Sequence, residues 1–279
     1  MAKEKLSKKI EKISTDSKQG KSKQAKSSLK ISKSVVPNKV EVSNKKSYKK
    51  SYKIDLRILP PTNLGPFAIS GLAVAPAIIK LCKVKKIDVI GIIDNFQGDF
   101  LDRLQKLSFD YPLTILPAID LQIKVDKYED IILTCFFESS ETSSTIKDFL
   151  NLLEVPSSCY GKEAYPVKLP LDIILEHLEA FDGFAIPSRV DKTPNRKCAI
   201  PILVEKYGFR TFEVVYQDDT KALFKKLWPK EHFNIFSFSN ANALAQVGNR
   251  AEKIKLAELN FSGIKNFMMR SDAISFDIN

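Results

Sequence analysis

The chain has 279 residues, with 44 Lys and Arg against 33 Asp and Glu, a net charge of +11 and a pI near 9.3. That length suits one sizeable domain with an appendage. No apolar run approaches the roughly 20 residues of a membrane-crossing helix, and the first residues lack the apolar stretch of a secretory leader, so neither a membrane protein nor an exported one is expected.

Residues 1–53 hold 17 Lys, 11 Ser and four acidic residues (Glu4, Glu11, Asp16, Glu41), a net charge of +13 that leaves residues 54–279 at −2. With almost no large apolar side chains to bury, this stretch cannot offset the entropy of ordering. A disordered basic tail is therefore expected over 1–53 and a folded domain over 54–279. The end of the tail, KKSYKKSYK, interleaves Tyr48 and Tyr52 with Lys45, Lys46, Lys49, Lys50 and Lys53. Lysines neutralise phosphates and aromatic rings stack on unpaired bases, which suits RNA, DNA or an acidic protein surface. A solvated leader has the same composition, so both readings stand.

From residue 54 short apolar runs alternate with helical patterns. The pattern predicts a strand over 54–59, a helix over 70–84 that Pro76 starts or kinks, and a buried strand over 87–93. Phe100, Leu101, Leu104 and Leu107 recur at helical spacing within 99–107. A strand over 113–119 continues after a turn over 120–125, and 131–137 is wholly apolar. Helices follow over 145–153 and 171–178, a short strand over 183–186, and a helix over 196–207 with Pro201 near an end or at a kink. Strands over 212–216, 233–238 and 253–256, a helix over 219–227 and a closing helix over 261–268 complete the chain. Strands apolar throughout and separated by helices argue for a mostly parallel sheet covered on both faces, which closes into an α/β barrel.

In such barrels chemistry sits where strands end at their carboxyl side. Five segments place polar residues there: IDLRILPPT (54–62), IGIIDNFQGD (90–99), ILPAIDL (115–121), AIPSRVDK (185–192) and SFSNANALAQVGNR (237–250). In this order they resemble the PHP (polymerase and histidinol phosphatase) family of metal phosphoesterases, whose segments read approximately DLHxHS, ITDHN, LPGIE, PAHVDR and SDAHxxxxIG. The resemblance spans roughly residues 54 to 270. It implies a distorted TIM-like (β/α)7 barrel whose histidines and carboxylates hold a metal cluster that activates water and clamps phosphate oxygens.

Against that pattern no histidine survives. The two histidines of the first segment correspond to Arg57 and Leu59. The second segment keeps its aspartate as Asp94, but the neighbouring histidine is Asn95. The third segment's glutamate is Asp120, and a histidine expected in the following strand is Ile132. The PAHVDR histidine is Arg189, and the last Asp-x-His pair is Asn240 and Asn242. Leu and Ile ligate nothing, Arg stays protonated and repels cations, and Asn is a weak neutral donor. Only Asp94 and Asp120 remain as charged ligands.

The replaced site has three readings. Arg57 and Arg189 can pair with Asp94 and Asp120 and fill the hole with ion pairs. They can instead face a small anion through bidentate contacts. Or Asp94 and Asp120 can hold one divalent metal with several waters and sustain weak phosphoester hydrolysis. The first two imply a pseudoenzyme without cofactor that binds or scaffolds, and this is the reading adopted, with no catalytic residues assigned. His177 and His232 match no ligand position, and no Ser-His-Asp or Cys-His arrangement is available. Cys82, Cys135, Cys159 and Cys198 lack CxxC spacing, so reduced thiols in a cytoplasmic protein are expected.

Overall fold

The computed structural model describes residues 49–60, 71–94, 98–108, 111–161 and 164–269. Strand β1 (Lys50–Ile58) starts exposed and ends in five buried residues. Helix α1 (Gly71–Lys85) leads to β2 (Val89–Ile93), and α2 (Asp99–Leu107) leads to β3 (Thr114–Val125). Strand β4 (Tyr128–Phe136), helix α3 (Ser143–Leu152) and the two-residue β5 (Tyr165–Pro166) follow. Then come α4 (Leu171–Ala180), β6 (Phe184–Ser188), α5 (Pro194–Glu205), β7 (Thr211–Glu213), α6 (Gln217–Leu227), β8 (Asn234–Phe236), β9 (Glu252–Leu256) and α7 (Phe261–Met269).

Strands β1, β2 and β3 run parallel. Strand β4 is antiparallel to both β3 and β6, so β6 points the same way as β1–β3. Only Asp126 and Lys127 separate β3 from β4, and two residues allow a hairpin but not a parallel crossover. Strands β7 and β8 pair parallel. Two seams close the ring. Between β6 and β7, the Val190 amide donates to the Glu213 carbonyl at 3.3 Å. Between β8 and β1, the Leu59 amide donates to the Ala241 carbonyl at 2.8 Å, and the Ala241 amide to the Arg57 carbonyl at 3.2 Å, a parallel bridge. The ring therefore runs β1, β2, β3, β4, β6, β7, β8: a distorted seven-stranded barrel with one reversed strand. Strand β9 lies outside it, antiparallel to the first half of β1.

Two apolar layers hold this arrangement. Ile54, Leu56, Val89, Ile93, Leu116, Ala118, Phe136, Phe184, Ile186 and Phe236 form one buried cluster, joined by Phe261, Ile264 and Met268 of α7. These residues recur at every second position of their strands, which marks one face of the sheet, the lumen. The other face, with Ile90, Ile92, Ile115, Ile119 and Leu133, packs under the helices in a larger cluster.

Three of the differences from the sequence reading have a plain physical cause. The stretch 114–125 is one continuous strand, with no turn at Asp120. Helix α5 starts two residues early because Thr193 caps it, accepting from the Arg196 amide at 3.3 Å, and Pro194 occupies its first turn. Pro201 then falls inside the helix rather than near its end. Lys50–Lys53, read as tail, form the first half of β1 and pair with β9. The Lys53 amide donates to Asp88 at 2.7 Å, its ammonium donates to the Lys85 carbonyl at 3.1 Å, and Tyr52 packs against the lumen cluster. These two side chains are thus part-buried against the barrel. Among the described residues no helix is long and apolar enough to cross a membrane.

Candidate functional site

The register of β1 against β2 slips between Asp55 and Ile58. The slip breaks the alternation of faces: Leu56 lies in the lumen, Ile58 lies in the outer layer, and Arg57 is turned inward between them. Gly91 permits the close approach of the two strands here, since a Cβ on it would sit 2.5 Å from the Leu56 carbonyl oxygen.

Arg57 meets side chains from three other parts of the ring. Its Nη1 donates to Asp120 Oδ1 at 3.2 Å and to Thr134 Oγ1 at 3.1 Å, and its Nη2 donates to Asp120 Oδ2. Its Nε donates to Asn240 Oδ1 at 2.9 Å. The Thr134 hydroxyl donates to Asp120 Oδ1 at 2.6 Å and lies 2.6 Å from the Ser188 hydroxyl. Ser188 is also placed to donate to the Ile186 carbonyl at 3.2 Å, and since a hydroxyl has one proton either hydroxyl can be the donor between Thr134 and Ser188. Arg57 and Asp120 are 5% and 4% exposed, which makes this a desolvated, doubly bonded ion pair at the centre of the barrel.

A second cationic centre lies at the rim. Arg189 follows β6 with a left-handed backbone (φ 51°), and Asn240 follows β8 with another (φ 46°). A positive φ is uncommon outside glycine and more natural to Asn than to Arg. In this conformation the Arg189 amide donates to Glu213 Oε2 at 2.8 Å. Glu213 ends β7 inside the barrel at 4% exposure. Burial pushes its carboxyl up to about 7, although Arg57, the Arg189 amide and the Arg189 charge pull it down; Asp120 adds to the rise. Among the described residues the Arg189 guanidinium has neither a hydrogen-bond nor an ion-pair partner, and its Nε is buried.

The remaining expected positions have the following surroundings. Asp94 follows β2, buried, with its amide donating to the Ala118 carbonyl at 2.7 Å and its charge felt at the Tyr165 phenol. Asn242 is exposed, and its amide donates to Gln246 Oε1 at 2.9 Å. Ile132 pairs in register with Gln122, whereas Thr134 is the β4 residue opposite Asp120. Arg189 is drawn to Glu213 rather than paired with either expected carboxylate. Asn95, Lys45, Lys46 and Tyr48 lie outside the described residues. Lys49 and Lys50 are exposed, with the Lys50 ammonium 5.3 Å from the Tyr52 ring centre.

Two further carboxylates are structural. Asp55 accepts from the Ser239 amide (3.1 Å), the Ser239 hydroxyl (2.6 Å) and the Gly248 amide (2.9 Å), tying the first polar segment to the last. Burial raises its carboxyl above the usual range, while these donors oppose the rise. Asp191 accepts from the Val215 amide at 2.8 Å and the Tyr216 amide at 2.6 Å, at the start of α6. Thr134, Ser188, Glu213 and Arg250 escaped the sequence reading. Inward parity along β3 and β4 would have found Thr134, since it shares the face of Phe136. Glu213, an acid inside the apolar run TFEVV, was the clearest missed signal.

Among the described residues no three His, Cys, Asp or Glu side chains are grouped to hold a metal ion. The donor set does not suit one either: both Asp120 oxygens accept from Arg57, and Leu59 and Ile132 have no donor atoms.

No protein-family model matches the chain, and no curated protein does. Solved structures do. The lesion-specific endonuclease Q of Pyrococcus furiosus aligns over 79% of this chain and 56% of its own, at 14% identity and a TM-score of 0.56. Endonuclease Q in complex with a 27-mer duplex substrate carrying an abasic lesion aligns over 78% and 56%, at 14% identity and 0.53. A two-domain Bacteroides vulgatus protein containing a predicted PHP-like metal-dependent phosphoesterase aligns over 85% and 67%, at 11% identity and 0.50. The chain spans little more than half the length of the endonuclease chains it matches. At such identities the likeness is one of fold, and the fold is the PHP-type barrel that the polar segments suggested.

Proposed function

Taking the PHP-type barrel as the premise, we propose that this protein is a pseudo-phosphoesterase, a binding or scaffolding module that does not hydrolyse esters. The observation that carries the reading is the Arg57–Asp120 pair. A guanidinium fixed in the lumen occupies both oxygens of the best remaining carboxylate and repels any cation brought near it. The residues present therefore do not fit the metal cluster implied by the fold family, and no hydrolytic step is derived through one.

Purified protein should carry no stoichiometric Zn, Mn or Fe by elemental analysis and should not turn over a generic phosphomonoester with any of these metals added. Near-stoichiometric metal and turnover, both lost in Asp94→Ala and Asp120→Ala, would establish the rival reading of a one-metal phosphoesterase.

The basic first segment fits a second role, an electrostatic anchor for nucleic acid or an acidic protein. What supports this is its charge of +13 beside a body of −2. Because β1 begins at Lys50, the deletion that tests it removes residues 1–48 and leaves the strand intact. Loss of retention on heparin and RNA is expected; unchanged retention refutes the anchor.

A further inference from the structure

Arg57 and Arg189 stood alike in the sequence, yet the fold gives them different surroundings. Arg57 is held by Asp120, Thr134 and Asn240. Among the described residues Arg189 has no carboxylate at ion-pair distance and a buried Nε with no acceptor, an arrangement that costs desolvation energy unless something completes it.

Arg189 lines a cavity of about 300 Å³ at the barrel mouth, together with Glu213, Ser239, Asn240, Gln246 and Arg250. Arg250 reaches it from the segment before β9. Its Nη1 is anchored to the Val215 carbonyl at 3.3 Å and the Ser237 hydroxyl at 3.2 Å, both neutral acceptors. Two guanidinium groups therefore share a small polar cavity, and neither is in an ion pair with a protein carboxylate among the described residues.

We infer that this cavity is a binding site for a compact dianionic oxyanion, held by Arg189 and Arg250 with Asn240 at its edge. The inference rests on the non-hydrolytic reading above and supplies its ligand class. Planar guanidinium groups match the paired oxygens of phosphoryl and carboxylate groups. A space of about 300 Å³ accommodates a small phosphate monoester or a short dicarboxylate. Neither Arg57 nor Asp120 lines the cavity; Asn240 connects the two, its Oδ1 accepting from Arg57 Nε at 2.9 Å, so a ligand need not displace the ion pair. Glu213 tunes the site, since its charge opposes an anion when ionised and its hydroxyl can donate to one when protonated. The charged groups acting on Glu213 are Arg57 from β1, Asp120 from β3 and Arg189 after β6.

The test uses the full chain at fixed ionic strength and pH 6.5. Inorganic phosphate, glycerol 3-phosphate and malonate are titrated by calorimetry and by thermal shift, with chloride as control. We expect saturable binding of at least one of them. Arg189→Gln and Arg250→Gln should each weaken it at least ten-fold, with the unliganded melting temperature little changed for the exposed Arg250. Preference for the two phosphates identifies a phosphoryl group, and preference for malonate a carboxylate. Absence of saturable binding by all three, or unchanged binding in both variants, overturns the inference; unchanged binding would place the anion on the lysine-rich segment instead. If Arg189→Gln does not fold, Arg250→Gln alone decides. Metal-dependent turnover of glycerol 3-phosphate would defeat the non-hydrolytic reading, whereas silence in every binding arm without turnover defeats only the cavity.

Discussion

The Arg57–Asp120 pair can be broken with minimal change of shape by Asp120→Asn. The amide keeps the volume of the carboxylate but can turn only one oxygen toward Arg57, whose Nη1 and Nη2 both donate to Asp120. The other position becomes an NH2 facing a donor, and a 5%-exposed guanidinium loses the carboxylate it is doubly bonded to. Removing one partner of a buried pair typically costs about 3–5 kcal/mol. For a body of this size that corresponds to a fall in Tm of roughly 10 °C. Urea unfolding at pH 7 measures it directly, as a lowered midpoint with an unchanged slope. The companion double variant, Arg57→Met with Asp120→Leu, removes both charges and should recover most of the loss. A cost below about 1 kcal/mol for Asp120→Asn would show that the carboxylate does not balance a desolvated cation, and the case for a plugged lumen would fall.

Glu213→Gln tests the inner rim. Its carboxyl titrates at about 7 in the fold against 4.5 for the free group. The native state therefore holds the proton more tightly, so stability declines as pH rises from about 4.5 to about 7 and is level beyond. At about 1.4 kcal/mol per pH unit the ionised form costs roughly 3 kcal/mol, so the glutamine variant should be more stable at pH 8 by up to that amount. No gain is expected at pH 4.5, and equal pH profiles for the two proteins contradict this account. Gly91→Ala drives a methyl against the Leu56 carbonyl at 2.5 Å and should cost about 1–3 kcal/mol by urea unfolding; a neutral result means the strands do not approach so closely. Burial pushes the Cys82 thiol up to about 12 and raises Cys135 further, whereas Cys198 is exposed. A thiol reagent at pH 8 should therefore label Cys198 first in the native protein and the other three only on unfolding; rapid labelling of Cys82 would argue against this packing.

Much of the fold was legible because its signals are local. Helix α2 occupies the predicted span 99–107, where four apolar residues repeat at helical spacing, and α7 begins where its pattern begins. The errors arose where tertiary pairing overrides composition. Lys50–Lys53 read as solvated tail because of their charge, yet β9 offers them a partner strand. Asp120 read as a break because a carboxylate inside an apolar strand has no local justification; its justification is Arg57, 63 positions away. The reversed direction of β4 was foreshadowed only by the shortness of the turn before it. Within the site, Arg57, Asp120 and Asn240 could be grouped because the polar segments have a recognisable order. Glu213 and Arg250 could not, since their role depends on which strand ends share a rim. The slip in β1 that turns Arg57 inward has no sequence signature beyond the glycine across from it.

Building the central positive charge into the polypeptide has a physiological corollary. A barrel that depends on bound ions loses its charge when they are chelated, outcompeted or scarce. Here the charge of Arg57 belongs to a side chain that cannot dissociate, so the Arg57–Asp120 pair carries its own positive partner and borrows none from solution.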